Sequence, residues 1–246
     1  MKQFKFLLVL TTSLFAFSCS KVAEKEKVNL VESYIPQDGL VAYYTFSGNA
    51  NDEKNSALNG ELFGPTLSTD RASSVDKAFE FSSDYIKVPN NSAFNFGTVF
   101  TASVWIKTKN PSLSQKIFGR ANGSFNGGFV LGLEKTKVFM EVFDNTSKNT
   151  FIINVGNAIV ANEWTHLAIT WKSGGNFIAY TNGIQVAKIA ASANPIGSIE
   201  EPLIIGGAPW IQNPLNFPFS GSIDDVGLWN REFTASEILS LYNSSK

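Results

Sequence analysis

Apolar and polar residues alternate along this chain in short runs, and nearly every run meets a turn signal before it reaches helical length. The clearest spans 100–107. Phe100, Ala102, Val104 and Ile106 fall on one face, and Thr101, Ser103, Trp105 and Lys107 fall on the other. That is the period-two spacing of a half-buried strand. Comparable runs cover 40–46, 78–81, 85–88, 129–133, 138–143, 151–155, 164–171, 177–180, 184–189, 203–205 and 223–229. Between 177–180 and 184–189 stands Thr181-Asn182-Gly183, and Asn-Gly favours the tight primed turn of a hairpin.

One helix is predicted, near the end. Thr234 can cap it, Glu237 three residues on completes a capping box, and Ile238, Leu241 and Tyr242 form an apolar stripe. Many short strands with turns between them, followed by one helix, predict an all-β fold: an antiparallel two-sheet jelly-roll sandwich with a short C-terminal helix.

The start of the chain reads differently. Lys2 and Lys5 precede a mostly apolar run at 6–15, then Ala16-Phe17-Ser18-Cys19. The run is shorter than the roughly 20 apolar residues of a membrane span and has the order of a secretory signal. It resembles a bacterial lipoprotein signal, although the Leu usual three residues before the cysteine is Ala16 here. The resemblance implies removal of 1–18 and lipidation of Cys19; the other reading is an ordinary signal with an incidental cysteine. Residues 19–33 are rich in Lys and Glu and read as a charged tether, leaving 34–246 as one domain. Acyl chains on Cys19 would hold the protein at a membrane without a spanning segment. The expected location is the bacterial cell envelope, at the outer membrane or cell surface.

Composition narrows the partners. The net charge is -1, and the basic residues are not clustered with aromatics, so nucleic acid is not expected. Cys19 is the single cysteine, so the domain has no disulfide of its own.

Five local patterns, in order, resemble the laminin-G-like, concanavalin-A-like jelly-roll domains of bacterial secreted proteins. They are Gly39-Leu40-Val41-Ala42-Tyr43-Tyr44-Thr45-Phe46 with Gly48-Asn49-Ala50-Asn51-Asp52; Ala78-Phe79-Glu80-Phe81 through Asp84-Tyr85-Ile86-Lys87-Val88-Pro89; the 100–107 strand; Trp164-Thr165-His166-Leu167-Ala168 with Tyr180-Thr181-Asn182-Gly183; and Phe219-Ser220-Gly221-Ser222-Ile223-Asp224-Asp225-Val226 leading into the helix. The resemblance implies one structural Ca²⁺ near a sandwich rim, with Asp52 as early ligand, backbone carbonyls near Asn49, and Asp224 or Asp225 as late ligand. Calcium takes carboxylate, amide and carbonyl oxygens from such loops. The alternative is a solvated Asx-rich turn, with Asp224 bonded to backbone groups.

Sugars bind by stacking on flat rings beside amide and carboxylate groups. The candidate ligand residues are Trp210 and Asn213 in the loop-like 206–214 stretch, Asn126 in a Gly-rich loop, and Trp105 on the polar phase of its strand. His166, the single histidine, lies in an apolar strand and reads as structural. No catalytic residues are assigned. Glu200-Glu201 and Asp224-Asp225 are adjacent pairs that point to opposite faces of a strand. Glu134 and Glu141 can approach across a hairpin, but nothing marks them as an acid/base pair. The expected function is therefore a non-catalytic, lipid-anchored binding module for carbohydrate. The alternative is a structural or protein-adhesion module of the envelope, and a glycoside hydrolase ranks below both. The expected partners are a glycan or a cell-envelope protein, with membrane contact through Cys19 only.

Overall fold

The chain order of strands is β1 (Leu40–Tyr44), β2 (Glu61–Phe63), β3 (Thr66–Ser68), β4 (Ala78–Ser82), β5 (Tyr85–Val88), β6 (Val99–Thr108), β7 (Gln115–Ala121), β8 (Gly128–Glu134), β9 (Lys137–Phe143), β10 (Lys148–Asn154), β11 (Thr165–Lys172), β12 (Asn176–Thr181), β13 (Ile184–Ala190), β14 (Leu203–Ile205) and β15 (Ser220–Trp229), followed by helix α1 (Ala235–Asn243). The structure is a computed structural model that describes residues 35–122, 126–144, 147–156, 158–208 and 216–244. Trp210, Asn213 and Cys19 lie outside the described residues.

The strands form two antiparallel sheets. One has eight strands in the order β13-β12-β11-β6-β15-β4-β3, with β1 also on β15; the other has seven, in the order β10-β9-β8-β7-β14-β5-β2. The strand β15 changes partner along its length. Ser220–Ile223 pair with β4, and Val226–Trp229 pair with β1, while β6 runs along the opposite side. The junction is a bulge between Asp224 and Gly227, with Asp225 at φ 47°. A bulge at that point re-aims two adjacent carboxylates.

Alternation drives the two sheets together. Phe100, Val104 and Ile106 of β6 face Phe129, Leu131 and Leu133 of β8 and Val138, Met140 and Val142 of β9 in one buried core. Phe100 and Phe129 lie 5.3 Å apart, and Phe151 of β10 stacks on Phe177 of β12 at 4.5 Å across the sheets. Each such ring buried contributes about 1.5–3 kcal/mol, and with no disulfide in the domain this core must carry the fold.

The outer face of the eight-stranded sheet is covered near α1. Thr234 and Glu237 make the reciprocal capping box, and Arg231 donates to Glu237 Oε1 at 2.6 Å. Ile238 and Leu241 bury against Tyr43, Ala168, Tyr180 and Trp229. Trp229 Nε1 donates to the Pro36 carbonyl at 2.8 Å, tying the start of the domain to its end. Asn182 (φ 50°) and Gly183 (φ 77°) make the left-handed turn expected between β12 and β13.

Three strands escape the hydrophobic pattern. β2 and β3 are three residues each and mostly exposed. β7 is buried throughout, but a bulge between Lys116 and Phe118 breaks its alternation, and it carries buried Gln115, Lys116 and Arg120. Arg120 donates to Asn90 and Asn95 Oδ1, each at 2.6 Å, and to the Ile199 and Glu201 carbonyls. It fastens the 199–201 segment to the sheet, and burial pulls its pKa below the usual arginine value.

Candidate functional site

The carboxylates expected to hold calcium already have protein partners. Asp52 Oδ1 accepts the Tyr43 N–H at 2.6 Å, and Oδ2 accepts the Asn55 and Lys54 N–H groups at 2.6 and 3.3 Å. Burial raises the Asp52 pKa, and these three donors oppose the rise. Asn49 is exposed and closes an Asx turn, its Oδ1 accepting the Asn51 N–H at 2.8 Å. Asp224 and Asp225, at the β15 bulge, face a fixed cation. Arg71 lies 2.7 Å from Asp225 Oδ2 and 3.6 Å from Asp224 Oδ2, donates to the Ser244 carbonyl, and stacks 4.5 Å over Trp105. Among the described residues, no three His, Cys, Asp or Glu side chains are grouped to hold a metal ion. Calcium takes six to eight oxygens at once, and here the Asp52 oxygens accept backbone N–H groups while Asp224 and Asp225 face a guanidinium.

Trp105 does not line a groove. It is 8% exposed, with the Arg71 guanidinium 4.5 Å from its ring centroid and Tyr242 of α1 stacked on it at 5.5 Å. The polar phase of β6 faces outward as expected, but α1 packs over it. His166 lies beside Trp105, 1% exposed, with Nε2 2.8 Å from Ser103 Oγ and Nδ1 without a hydrogen bond. Burial, helped by the nearby Arg71 charge, pushes its pKa down to about 3. Trp171 and Trp229 are buried, while Trp164 is half-buried with the Lys107 ammonium 5.1 Å above its ring. Asn126 is exposed and not among the residues lining the cleft described next.

The open surface lies on the other sheet. On β8, β9 and β10 the residues out of phase with the core are Glu134, Phe139, Glu141, Lys148, Thr150 and Ile152, and they line a cleft of about 490 Å³. Gly132 lets the Phe139 ring lie across β8, since a Cβ there would come within 2.5 Å of that ring. Lys148 pairs with Glu141 at 3.1 Å, and Ser114 Oγ donates to Glu134 Oε2 at 2.8 Å. Lys116 stands at the floor, its pKa lowered by burial against the pull of Glu141.

Asn216 and Phe217 form the wall. Phe217 is 55% exposed at φ 55°, a backbone region costly for a bulky residue. Two contacts from Lys116 hold it there: the N–H donates to the Phe217 carbonyl at 2.8 Å, and the ammonium lies 5.4 Å from the ring centroid. An exposed ring beside carboxylate, amide, hydroxyl and ammonium groups is the chemistry that grips a sugar.

Glu134 and Glu141 share this cleft but are not a facing pair. Glu134 is opposite Lys137, and Glu141 is four residues further along β9. At about 3.3 Å per residue the offset is roughly 13 Å, beyond the roughly 6.5–9.5 Å of an inverting glycosidase.

Sequence reasoning missed Phe217 and Lys116. Phe217 sits in Asn216-Phe217-Pro218, where an aromatic before proline in a turn was a usable signal. Lys116 had none, because the β7 bulge hides which way it points.

Residues 81–239 match the profile of the family described as the concanavalin A-like lectin/glucanases superfamily. No curated protein is significantly similar in sequence. Several solved structures share the fold. Domain 4 of an extracellular arabinanase from Geobacillus stearothermophilus, in complex with arabinotriose, is 18% identical, with a TM-score of 0.63, covering 83% of this chain and 98% of that one. The binding domain of Paraclostridial mosquitocidal protein 1 is 21% identical, with a TM-score of 0.66 over 84% of this chain and 52% of that one. The binding domain of botulinum neurotoxin DC, in complex with SialylT, is 17% identical, with a TM-score of 0.61 over 84% and 52%. The chain thus spans about half the length of the two toxin domains.

Proposed function

The chain belongs to the concanavalin A-like lectin/glucanases superfamily, and from that membership we propose that it is a non-catalytic carbohydrate-binding module of the bacterial cell envelope, anchored by lipid on Cys19. The observation that carries the reading is the cleft on the outer face of the seven-stranded sheet, with the exposed Phe217 ring beside Glu134, Glu141, Thr150 and Asn216. Hydroxyls of a sugar find both donors and acceptors there, and its apolar face finds a ring. The solved complexes with arabinotriose and SialylT lend support by analogy of fold. The offset of Glu134 from Glu141 weighs against hydrolysis. The anchor rests on the 1–19 sequence alone.

A glycan array probed with the full chain, with and without EDTA, tests the reading. Binding retained in EDTA is the expected result. Binding lost in EDTA would restore calcium to the site through a rearranged 47–60 loop. Folded protein that binds no glycan would overturn the carbohydrate reading and favour a protein-adhesion module. One observation points that way: Ile184 and Leu239 are 68% and 45% exposed where the β12–β13 turn meets α1.

A further inference from the structure

The cleft has a neighbour that changes the kind of ligand it suits. A second cleft, also of about 490 Å³, adjoins it at Phe217 and is lined by the 82–83 turn, Leu113, and the 218–220 segment. The two share Ser114, Gln115 and Phe217. They are therefore two adjoining lobes of one groove that meet at Ser114, Gln115 and the exposed Phe217 ring. Each lobe alone falls within the roughly 300–1,000 Å³ of clefts that enclose small ligands.

The shared elements are fixed. Gln115 is 1% exposed; its Oε1 accepts the Ser220 N–H at 2.9 Å, and its Nε2 donates to the Asn110 carbonyl at 2.7 Å. This holds the floor common to both lobes. Phe217 is held by Lys116 in a conformation the backbone does not favour, with half its surface in solvent. A ring kept exposed at such a cost, the most exposed of the three residues common to the two clefts, is placed to be touched from both sides.

The lobes differ in chemistry. The first holds Lys116 and Lys148 against Glu134 and Glu141, two cations and two carboxylates, so its formal charge is zero. Among the described residues, the second has no charged lining residue; it offers the hydroxyls of Ser82, Ser83 and Ser220 beside exposed Leu113. Neither lobe presents a net field to select an acidic sugar.

We infer that the ligand is a neutral oligosaccharide that lies across Phe217, with at least one sugar unit in each lobe, so that the protein reads a stretch of chain rather than a terminal monosaccharide. This deepens the proposed function and rests on it.

Titration calorimetry of the full chain, kept in a non-glycosidic detergent, tests it. The probes are ladders of one to six units of arabinose-, xylose-, glucose- and mannose-based chains, with an oligogalacturonate ladder as the acidic comparison. For at least one neutral ladder, affinity is expected to rise roughly tenfold or more between one unit and three, then level off. Phe217→Ala is expected to remove most of that gain, and Leu113→Ala, in the uncharged lobe, part of it. Both side chains are more than half exposed, so both variants are expected to keep the parent melting temperature. Equal affinity for one unit and three, or a length gain untouched by both variants, overturns the two-lobe inference and leaves a single-lobe sugar site. Preference for the acidic ladder overturns the neutral assignment. Folded protein that binds no ladder overturns the carbohydrate function itself.

Discussion

The single histidine gives this protein a titration that can be isolated. His166 sits on β11 under α1, with one ring nitrogen on Ser103 Oγ and the other without a partner. Protonation would bury a second N–H donor with no acceptor and add a charge near Arg71, which is why its pKa falls to about 3. In the unfolded chain the ordinary value of about 6.5 returns. Between those values the unfolded state binds more protons, so stability rises with pH through that window and is lost as pH falls below about 6.5. Going from about pH 7 to about pH 5, the unfolded His166 becomes almost fully charged while the folded one stays neutral, a loss of about 2 kcal/mol. For a domain of this size that is roughly 4–8 °C in melting temperature. Urea unfolding followed by tryptophan fluorescence at the two pH values measures it. His166→Gln is the control, since no other histidine is present. Glutamine can keep a bond to Ser103 but cannot titrate. Carboxylates such as Asp52, raised by burial, and Glu237, lowered by Arg231, contribute equally to both chains and cancel in the comparison. The parent is expected to lose about 2 kcal/mol more than the variant on acidification. Equal losses would show that His166 is charged, or solvated, in the folded state, and the account of its burial would fall.

Three further outcomes follow from the same structure. Arg71→Met keeps the packing on Trp105 but leaves Asp224 and Asp225 without their guanidinium and frees the Ser244 carbonyl, so about 3 kcal/mol of stability is expected to go, read as a lower urea midpoint. Gly128→Ala places a Cβ at φ 91° against the Arg120 carbonyl and Ile199, where backbone must move; soluble yield and melting temperature are both expected to drop sharply, more than for Gly97→Ala, where a Cβ meets nothing. Cys19→Ser is expected to shift the protein from the membrane fraction to the soluble one and to abolish incorporation of labelled fatty acid; retention at the membrane would refute the lipid anchor.

Local pattern was enough to read the strands that alternate or form apolar runs, because burial on one face leaves a period-two mark. It also determined the helix, because Thr234 and Glu237 carry a local capping signal, and the β12–β13 turn, because Asn182-Gly183 meets a backbone demand no distant residue sets. The family resemblance followed from those local patterns. Tertiary structure alone decided what the faces meet. Whether the outward phase of β6 opens to solvent depends on where α1 packs, and the helix covers Trp105. Whether Asp224 and Asp225 are offered to a metal depends on Arg71, 153 and 154 residues earlier in the chain, reaching the β15 bulge. The candidate groove draws on the 82–83 turn, on β7 to β10 and on 216–220, segments up to 138 residues apart that share no local pattern. Its key side chains, Lys116 and Phe217, are aimed by a bulge and a left-handed residue. Local periodicity records which side of a strand is buried; it holds no record of which distant segment leaves the other side open.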